Sequence, residues 1–381
     1  MKRSTDRILT THAGSLPRPD DLVQMMWAKN DGRPVEGAAL RRRVREAVEE
    51  VVQRQQRVGL DVISDGEMSK PGFSNYVCDR YSGFGGQAAR GVAKDLLEYP
   101  AVAARRAATN PAAGRARMPN CEGPIELRDP DAIQEDIQTL TAALGSLQPD
   151  HAFLPAPSPG QIAFNFPNKY YPSHEAYLAA AGNALRYEYR AIVEAGFNLQ
   201  IDSPDLAMAG HWHSPESSIT DFHGHIEQAV AALNDALADL PPDKLRLHVC
   251  WGNYPGPHHR DVELKDIVGS ILKARPAFLY LEAANPRHEH EWEVWEQMKL
   301  PQGKSLIIGA VDVLTNHVEH PRLIAQRILR FAKLVARENV IAGTDCGFST
   351  WAGSYNCDPD VAWLKLEALV QGASIASREL W

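Results

Sequence analysis

The amino-acid sequence predicts an α/β fold, a (β/α)8 TIM barrel with an insertion after its second strand. Eight short apolar segments of strand length alternate with segments whose apolar residues recur at helical spacing. Such alternation is typical of a parallel sheet, and eight strands is the number that closes the common barrel. No glycine-rich fingerprint follows the first strand, so a doubly wound dinucleotide-binding sheet is the weaker alternative.

Most of the predicted strands are β-branched or otherwise apolar and end in polar residues. They cover residues 8–16, 61–67, 151–157, 197–202, 245–251, 277–283, 305–313 and 340–346. Helices are predicted at residues 37–58, 130–147, 173–195, 219–238, 288–298 and 321–337. Residues 75–150 interrupt this rhythm with a segment rich in Gly, Ala and Arg that carries one extra strand-like piece, residues 121–127. We therefore expect an insertion there, within a single catalytic domain that covers residues 1–381.

Composition excludes several classes of protein. The chain has 381 residues, of which 44% are hydrophobic and 23% charged, which is enough apolar material for a large core. A net charge of −8 without a long basic run argues against nucleic acid as a partner. No segment has the ~18 to 20 consecutive apolar residues of a membrane span, and no secretory signal is visible, so we expect a cytoplasmic protein. Five cysteines, an odd and sparse set, argue against a disulfide framework and permit a metal site.

The carboxyl ends of the predicted strands carry candidate metal ligands. His248 and Cys250 are two positions apart on the fifth strand, so both side chains point to the same face. Glu282 ends the sixth strand and Cys346 the eighth. Active sites of TIM barrels lie at this end of the strands. One imidazole, two thiolates and one carboxylate suit tetrahedral zinc, and two soft sulfurs favour zinc over magnesium or calcium.

At these residues the sequence resembles the catalytic C-terminal barrel of the cobalamin-independent methionine synthases. The H-x-C element of that family appears at His248 and Cys250, its ligand glutamate as Glu282 in YLEAANPR, and its second cysteine as Cys346 in a D-C-G turn. The resemblance covers nearly the whole chain and is weakest across residues 75–150. It implies Zn²⁺ as the cofactor, held by these four residues. It also implies a methyltransferase of methionine biosynthesis that activates a small thiol, with homocysteine favoured.

The resemblance also implies three residues that bind the thiol substrate. Ser15, in a Gly-Ser turn after the first strand, matches the serine that contacts the amino-acid carboxylate. Glu67 and Asp202 match two acids that hold the ammonium group of homocysteine. Two carboxylates in a cleft are a good receptor for a primary ammonium group. The alternative is that both acids pair only with neighbouring Arg or Lys side chains.

The alkyl donor stays open at this point, because two features that the family uses for folate are missing. The tryptophan that stacks on the folate ring has no counterpart in residues 154–161, and the D-I-H motif reads D-V-L at residues 312–314. The chain is also similar to core methionine synthases, which take methyl from a corrinoid or corrinoid protein, and to epoxyalkane:coenzyme M transferases. Opening an epoxide leaves an alkoxide that an acid would assist, and His211 and His213 are the candidate catalytic acids.

Two other functions are compatible with parts of the sequence. A metal-free barrel enzyme similar to uroporphyrinogen decarboxylase would leave Cys250 and Cys346 without a role. A zinc-binding protein without turnover would have four permanent ligands, whereas an exchangeable Glu282 makes an open, catalytic site. The sequence therefore predicts a zinc-dependent thiol S-alkyltransferase that acts on small molecules, with epoxide opening as the alternative reaction.

Overall fold

The computed structural model describes residues 1–89, 91–115, 118–212 and 219–381. Its eight-stranded sheet is parallel throughout, and a separate antiparallel pair of short strands, β3 and β4, lies outside it. In chain order the strands are β1 (Leu9–Thr10), β2 (Ile63–Ser64), β3 (Phe84–Gly85), β4 (Asn120–Cys121), β5 (Ala152–Pro157), β6 (Asn198–Asp202), β7 (Leu245–Val249), β8 (Phe278–Leu281), β9 (Ser305–Val311) and β10 (Val340–Thr344).

The parallel sheet closes on itself. Its strand order is β1-β10-β9-β8-β7-β6-β5-β2, which places β1 and β2 at the two ends of the row. These two strands meet, because the backbone N–H groups of Asp61 and Val62 donate to the carbonyl oxygen of Thr10 at 3.1 and 3.0 Å. The Thr11 hydroxyl also donates to the carbonyl oxygen of Val62 at 2.9 Å. The predicted (β/α)8 barrel is therefore confirmed.

Helices surround the barrel, and the longer ones pack an apolar stripe against it. Helix α2, for example, buries Ala47, Val48, Val51 and Val52, which recur at the spacing of one helical face. None of the described helices is long and apolar enough to cross a membrane. The helices are α1 (Asp20–Asn30), α2 (Gly37–Val58), α3 (Val77–Arg80), α4 (Lys94–Glu98), α5 (Pro100–Thr109), α6 (Asp131–Leu144), α7 (Pro159–Asn165), α8 (His174–Glu194), α9 (Asp205–Trp212), α10 (Ile219–Ala236), α11 (Leu264–Ile271), α12 (Val294–Gln297), α13 (Pro321–Val335) and α14 (Pro359–Leu380).

Several predicted boundaries were wrong. The strands predicted at residues 8–16 and 61–67 are paired over only two residues each, because the polar residues that follow turn into loops. The helix predicted at residues 288–298 begins as a 3₁₀ segment, Glu289–Glu293, and continues as the short α12. Helices α1 and α14 were not predicted, although α14 closes the barrel's outer layer against α13 and α2.

The segment between β2 and β5 reaches the carboxyl end of the barrel. Within it the strand predicted at residues 121–127 is only β4, which pairs with β3. Helix α4 contacts the loop after β7: the Asp95 carboxylate accepts hydrogen bonds from the Tyr254 hydroxyl and the His258 N–H, at 2.9 and 2.8 Å. Ala93 and Leu96 pack with Tyr254 in a small apolar cluster. The loops that surround the site therefore include a part of the chain that is far from it in sequence.

Candidate metal centre

Three of the predicted metal ligands converge at the carboxyl ends of the strands. His248 lies on β7, Cys250 follows it, and Cys346 follows β10. One ligand atom from each of these residues lies within 4.8 Å of the other two, and all three residues are largely buried. The two sulfur atoms are 3.9 Å apart. Alternation on β7 directs His248 and Cys250 to the inside of the barrel, where the end of β10 meets them.

The spacing of the two sulfur atoms fits tetrahedral zinc. With Zn–S bonds of about 2.3 Å, two sulfurs of a tetrahedral site are about 3.8 Å apart. His248 is also oriented as a ligand, because its Nδ1 lies 3.0 Å from the Asp202 carboxylate. If Nδ1–H donates to this carboxylate, Nε2 is left as the ligand atom, an arrangement typical of zinc-binding histidines. Although burial opposes it, the hydrogen bond with Asp202 raises the pKa of His248.

Glu282 lies beside these three residues but is held by the protein. Its Oε1 accepts from the backbone N–H of Trp251 at 2.9 Å, and its Oε2 accepts from the Asn285 side chain at 2.7 Å. Its oxygens are not within the 4.8 Å group that the other three ligands form. Burial raises the pKa of Glu282 well above its usual value, and the neighbouring Cys250 adds to the shift. A fourth-ligand role for Glu282 remains a prediction, and it requires the side chain to move toward the other three residues.

Asp345 fixes the segment that carries Glu282, a role that we did not predict. Its carboxylate accepts hydrogen bonds from the backbone N–H groups of Ala283, Ala284 and Asn285 at 2.8 to 2.9 Å, and from the Asn285 side chain. The side chain crosses β9 at Gly309, where an added Cβ would lie 2.2 Å from Asp345 Oδ1. The D-C-G turn located Asp345 in the sequence, but no sequence signal identifies backbone N–H groups in the segment after β8 as its partners.

A hydrogen bond joins the two thiols. The Cys346 thiol donates to Cys250 Sγ, and this hydrogen bond lowers the pKa of Cys250 to about 7, although burial acts in the opposite direction. The same hydrogen bond, with burial, raises the pKa of Cys346 well above its usual value. Cys250 is therefore the thiol that ionises first. A cation bound between the two sulfurs would replace the shared proton and favour both thiolates.

The predicted substrate residues also lie at this end of the barrel. Glu67 and Asp202 are close enough that the charge of Asp202 helps to raise the pKa of Glu67 to about 8, after the larger effect of burial. A Cβ added at Gly14 would lie 2.7 Å from Glu67 Oε1, which places this carboxylate against the Gly-Ser turn. The carbonyl oxygen of Ser15 accepts from the N–H of Phe348, two residues after Cys346.

Of the two predicted catalytic acids, only His211 is among the described residues, and it does not belong to the group formed by His248, Cys250 and Cys346. His211 is fully buried on α9, with Nδ1 3.4 Å from the Asp261 carboxylate. Burial lowers the pKa of His211 to about 4, so its neutral form dominates at neutral pH. Asp261 also pairs with His258 and His288, which makes His211 part of a buried histidine cluster. His213 lies outside the described residues. An acid role for either residue remains a prediction.

Part of the chain matches a known domain family, and nearly all of it is similar to characterised methionine synthases. The family described as "Cobalamin-independent synthase, Catalytic domain" matches residues 8–93, the segment that contains Ser15 and Glu67. Methionine synthase of Thermococcus kodakarensis is 27% identical over 372 residues, which are 97% of this chain and 94% of that protein. The chain resembles the catalytic domain of the cobalamin-independent methionine synthases. The resemblance that the sequence motifs indicated is thereby confirmed.

Two further matches extend the comparison. The structure of a B12-independent methionine synthase from Shewanella sp. W3-18-1, in complex with selenomethionine, superposes with a TM-score of 0.74 at 21% identity. This match covers 98% of this chain and 99% of the other, and it supports the fold. The 2-hydroxypropyl-CoM lyase of Xanthobacter autotrophicus is 24% identical over 413 aligned positions, covering 98% of this chain and 96% of that protein. A corrinoid partner receives no support from matches to a cobalamin-independent family.

Proposed function

We propose that this protein is a zinc-dependent thiol S-alkyltransferase of the methionine-synthase type, which transfers a methyl group to homocysteine. The observation that carries the proposal is the convergence of His248, Cys250 and Cys346 at the carboxyl end of a closed barrel. A Zn²⁺ ion bound there would lower the pKa of a coordinating thiol until the thiol is deprotonated at neutral pH. The thiolate form is the nucleophile in alkyl transfer.

The residues around this group have separate tasks in the proposed reaction. Asp202 holds the imidazole of His248 through Nδ1. The N–H of Trp251 and the amide of Asn285 hold Glu282 at the edge of the site, and a movement toward the metal would make it a ligand that a substrate thiol can displace. Glu67 and Asp202 together present carboxylates to a substrate ammonium group, and Ser15 lies at the same turn as Gly14. The thiol, the ammonium and the carboxylate of homocysteine would each have a partner.

The site is enclosed, which strengthens each of these interactions. Glu67, Asp202, His248 and Cys250 are all less than 5% exposed. Two loops cross the carboxyl end of the barrel next to them: the Ala352 N–H donates to the carbonyl oxygen of Pro71, and Gly72 forms a bridge with Trp351. Charge interactions in a site from which water is excluded are stronger than in water.

Epoxide opening by an activated thiol is the second candidate function. It is favoured by the match to 2-hydroxypropyl-CoM lyase and by two buried cations, Arg18 and Lys70, beside Glu67. A thiol with an anionic head group would use these cations, whereas an amino-acid thiol would use the carboxylates. The two reactions therefore differ in the acceptor that they select.

The acceptor and the donor can be tested together. Homocysteine and coenzyme M, each with methyltetrahydrofolate, a methylcorrinoid or a small epoxide, would be incubated with the zinc-loaded chain, and loss of the free thiol measured. We expect homocysteine to be consumed and coenzyme M to be inert. Consumption of coenzyme M with the epoxide alone would establish the second function. Glu67→Ala should weaken the binding of homocysteine by at least ~10-fold and that of 2-mercaptoethanol much less, because only homocysteine has an ammonium group.

The metal requirement has a matched control. Cys250→Ser and Cys346→Ser should each lose the single zinc ion and thiol alkylation, measured by elemental analysis and by the assay above. Cys357→Ser is the control, because Cys357 is buried but hydrogen-bonds to the carbonyl oxygen of Asp358 instead of joining the metal centre. Full zinc content in both Cys250→Ser and Cys346→Ser would exclude the proposed site.

A further inference from the structure

Arg18 joins three of the loops that form the site. Its side chain is completely buried. Nε donates to the carbonyl oxygen of Glu67 at 3.1 Å, and Nη1 donates to the carbonyl oxygen and hydroxyl of Ser349 at 2.8 and 3.0 Å. Arg18 follows β1, Glu67 follows β2, and Ser349 lies three residues after Cys346. One guanidinium therefore connects the predicted ammonium receptor to the loop of a predicted zinc ligand.

The backbone at Glu67 needs such support. Glu67 has φ of 60°, in the left-handed region that residues with a Cβ rarely adopt. A strained backbone conformation of this kind persists only where surrounding contacts offset its cost, and it is common at functional sites. The backbone of Glu67 makes three hydrogen bonds: its N–H donates to Asp65 Oδ1, and its carbonyl oxygen accepts from Lys70 N–H and from Arg18 Nε. Among these three, the bond from Arg18 comes from outside the turn, and the Leu16 N–H adds a second outside contact through the carbonyl oxygen of Gly66.

Arg18 also faces the Glu67 carboxylate itself. Nη2 lies 3.9 Å from Glu67 Oε2, and neither atom has a hydrogen-bond partner among the described residues. The charged groups around this carboxylate are Asp202 and Asp65, which disfavour its ionisation, and Lys70 and Arg18, which favour it. A buried carboxylate that must receive an ammonium group has to be both ionised and correctly directed, and the guanidinium contributes to both.

We propose that Arg18 is a positioning residue that holds the strained turn at Glu67, directs its carboxylate into the site and thereby gives the protein selectivity for thiols that carry an ammonium group. This inference rests on the proposed function, because it assigns Arg18 to the acceptor part of the same site. Arg18 acts through Glu67 and does not itself contact the substrate. A guanidinium that contacted the substrate carboxylate directly would bind carboxylate ligands equally well with and without an ammonium group.

Ligand binding tests the proposal without an alkyl donor or a thiol. The full chain as purified would be titrated calorimetrically with L-methionine and with 4-(methylthio)butanoate, which lacks the ammonium group. We expect Arg18→Met to weaken the binding of L-methionine about 10- to 100-fold, which is the range for a charged hydrogen-bonded pair. The binding of 4-(methylthio)butanoate should weaken by less than about threefold. Arg18→Lys keeps the charge but not the several fixed N–H donors of the guanidinium, so it should weaken the binding of L-methionine by about 10-fold.

A double-mutant cycle separates positioning from general stability. If Arg18 acts through Glu67, Arg18→Met should add less than about threefold to the loss in Glu67→Gln. Ser349→Ala is the matched control, because it removes one acceptor of Nη1 but neither contact with Glu67, and it should bind L-methionine as the wild type does. Should Arg18→Met fail to fold, as judged by thermal unfolding, Arg18→Lys is used in the same cycle.

Three outcomes would overturn the inference: equal losses for both ligands, additive effects of Arg18 and Glu67 substitutions, or no loss in either Arg18 variant. Failure of the proposed function would look different. A wild-type chain that binds both ligands equally has no ammonium receptor, so both the amino-acid acceptor and the role of Arg18 would be excluded. A chain without bound zinc would exclude the alkyltransferase whatever the cycle shows.

Discussion

At the scale of single residues, the sequence located the donors but not the groups that orient them. His248, Cys250 and Cys346 were predicted from their positions at strand ends, and the structure brings them together. The second use of Asp202, as the partner of His248 Nδ1, was not predicted, because it depends on the neighbouring positions of β6 and β7. Arg18 was missed as well, since nothing in its local sequence distinguishes it from an exposed arginine.

Asp202 should determine how tightly the metal is held. Removal of the carboxylate that orients a zinc-binding histidine usually costs 10- to 100-fold in metal affinity. We therefore expect Asp202→Ala to weaken zinc binding by about this factor, measured by competition with a chromophoric chelator. Asp202→Asn should lose less, because its amide oxygen can still accept from Nδ1–H.

Asp205→Asn provides the control for this measurement. Asp205 is a buried carboxylate three residues further along, but it accepts from the hydroxyls of Ser158 and Ser203 and has no contact with His248. Its replacement should leave zinc affinity unchanged. Wild-type affinity in Asp202→Ala would show that the imidazole is oriented in some other way.

At the scale of secondary-structure elements, periodicity predicted the existence of the barrel strands better than their lengths. Strand β2 has only two paired residues although residues 61–67 read as a continuous strand, since Gly66 and Glu67 both adopt positive φ and turn the chain away. Helices α4 and α5 were not predicted, because α4 has only five residues and α5 is rich in alanine and buries none of its residues. The close approach of one strand to a side chain of the next, as at Gly309 and Asp345, cannot be read from either strand alone.

Gly309 on β9 should be essential for the contact between β10 and the segment after β8. In Gly309→Ala the new Cβ would lie 2.2 Å from Asp345 Oδ1 and 2.7 Å from its Cα, so Asp345 must shift and release the N–H groups of residues 283–285. Overpacking of this kind lowers the free energy of unfolding by about 1 to 3 kcal/mol. We expect a loss in this range in urea denaturation of the metal-free chain, together with weaker zinc binding.

Gly269→Ala is the corresponding substitution in open space. Gly269 lies within helix α11, and an added Cβ there has no neighbouring atom within 4 Å. The exchange should leave zinc binding unchanged and keep or slightly raise stability, because alanine favours the helix. If Gly309→Ala and Gly269→Ala have the same stability and zinc affinity, the close contact between Gly309 and Asp345 does not contribute to either.

At the scale of the whole molecule, burial of titratable groups inside the barrel makes stability depend on pH. His12 is fully buried below the site, with Nε2 2.8 Å from Gln55 Oε1, while its Nδ1 accepts from the N–H of Gly14. Both ring nitrogens are satisfied when the imidazole is neutral. Burial lowers the pKa of His12 to about 3, far below the value of 6.5 expected in the unfolded chain.

The direction of the effect follows from proton linkage. Between pH 6.5 and about 3 the unfolded chain binds a proton at His12 that the folded protein does not bind. Stability is therefore complete above pH 6.5 and falls as the pH decreases through this window, by up to about 1.4 kcal/mol for each pH unit. His211, whose pKa is lowered to about 4 by burial, contributes in the same direction.

The pH dependence of unfolding in His12→Gln should consequently be shallower than in the wild type. Glutamine does not titrate, so one proton is removed from the linkage even if the variant is less stable at pH 7. Urea denaturation of the metal-free chain between pH 6.5 and 4 would give the slope of the free energy against pH for each protein; metal-free chain is used because zinc binding itself depends on pH. Parallel curves for the two proteins would mean that His12 is protonated in the folded state at mild acidity. In that case the hydrogen bonds with Gln55 and Gly14 could not both persist, since a charged imidazole has no acceptor nitrogen.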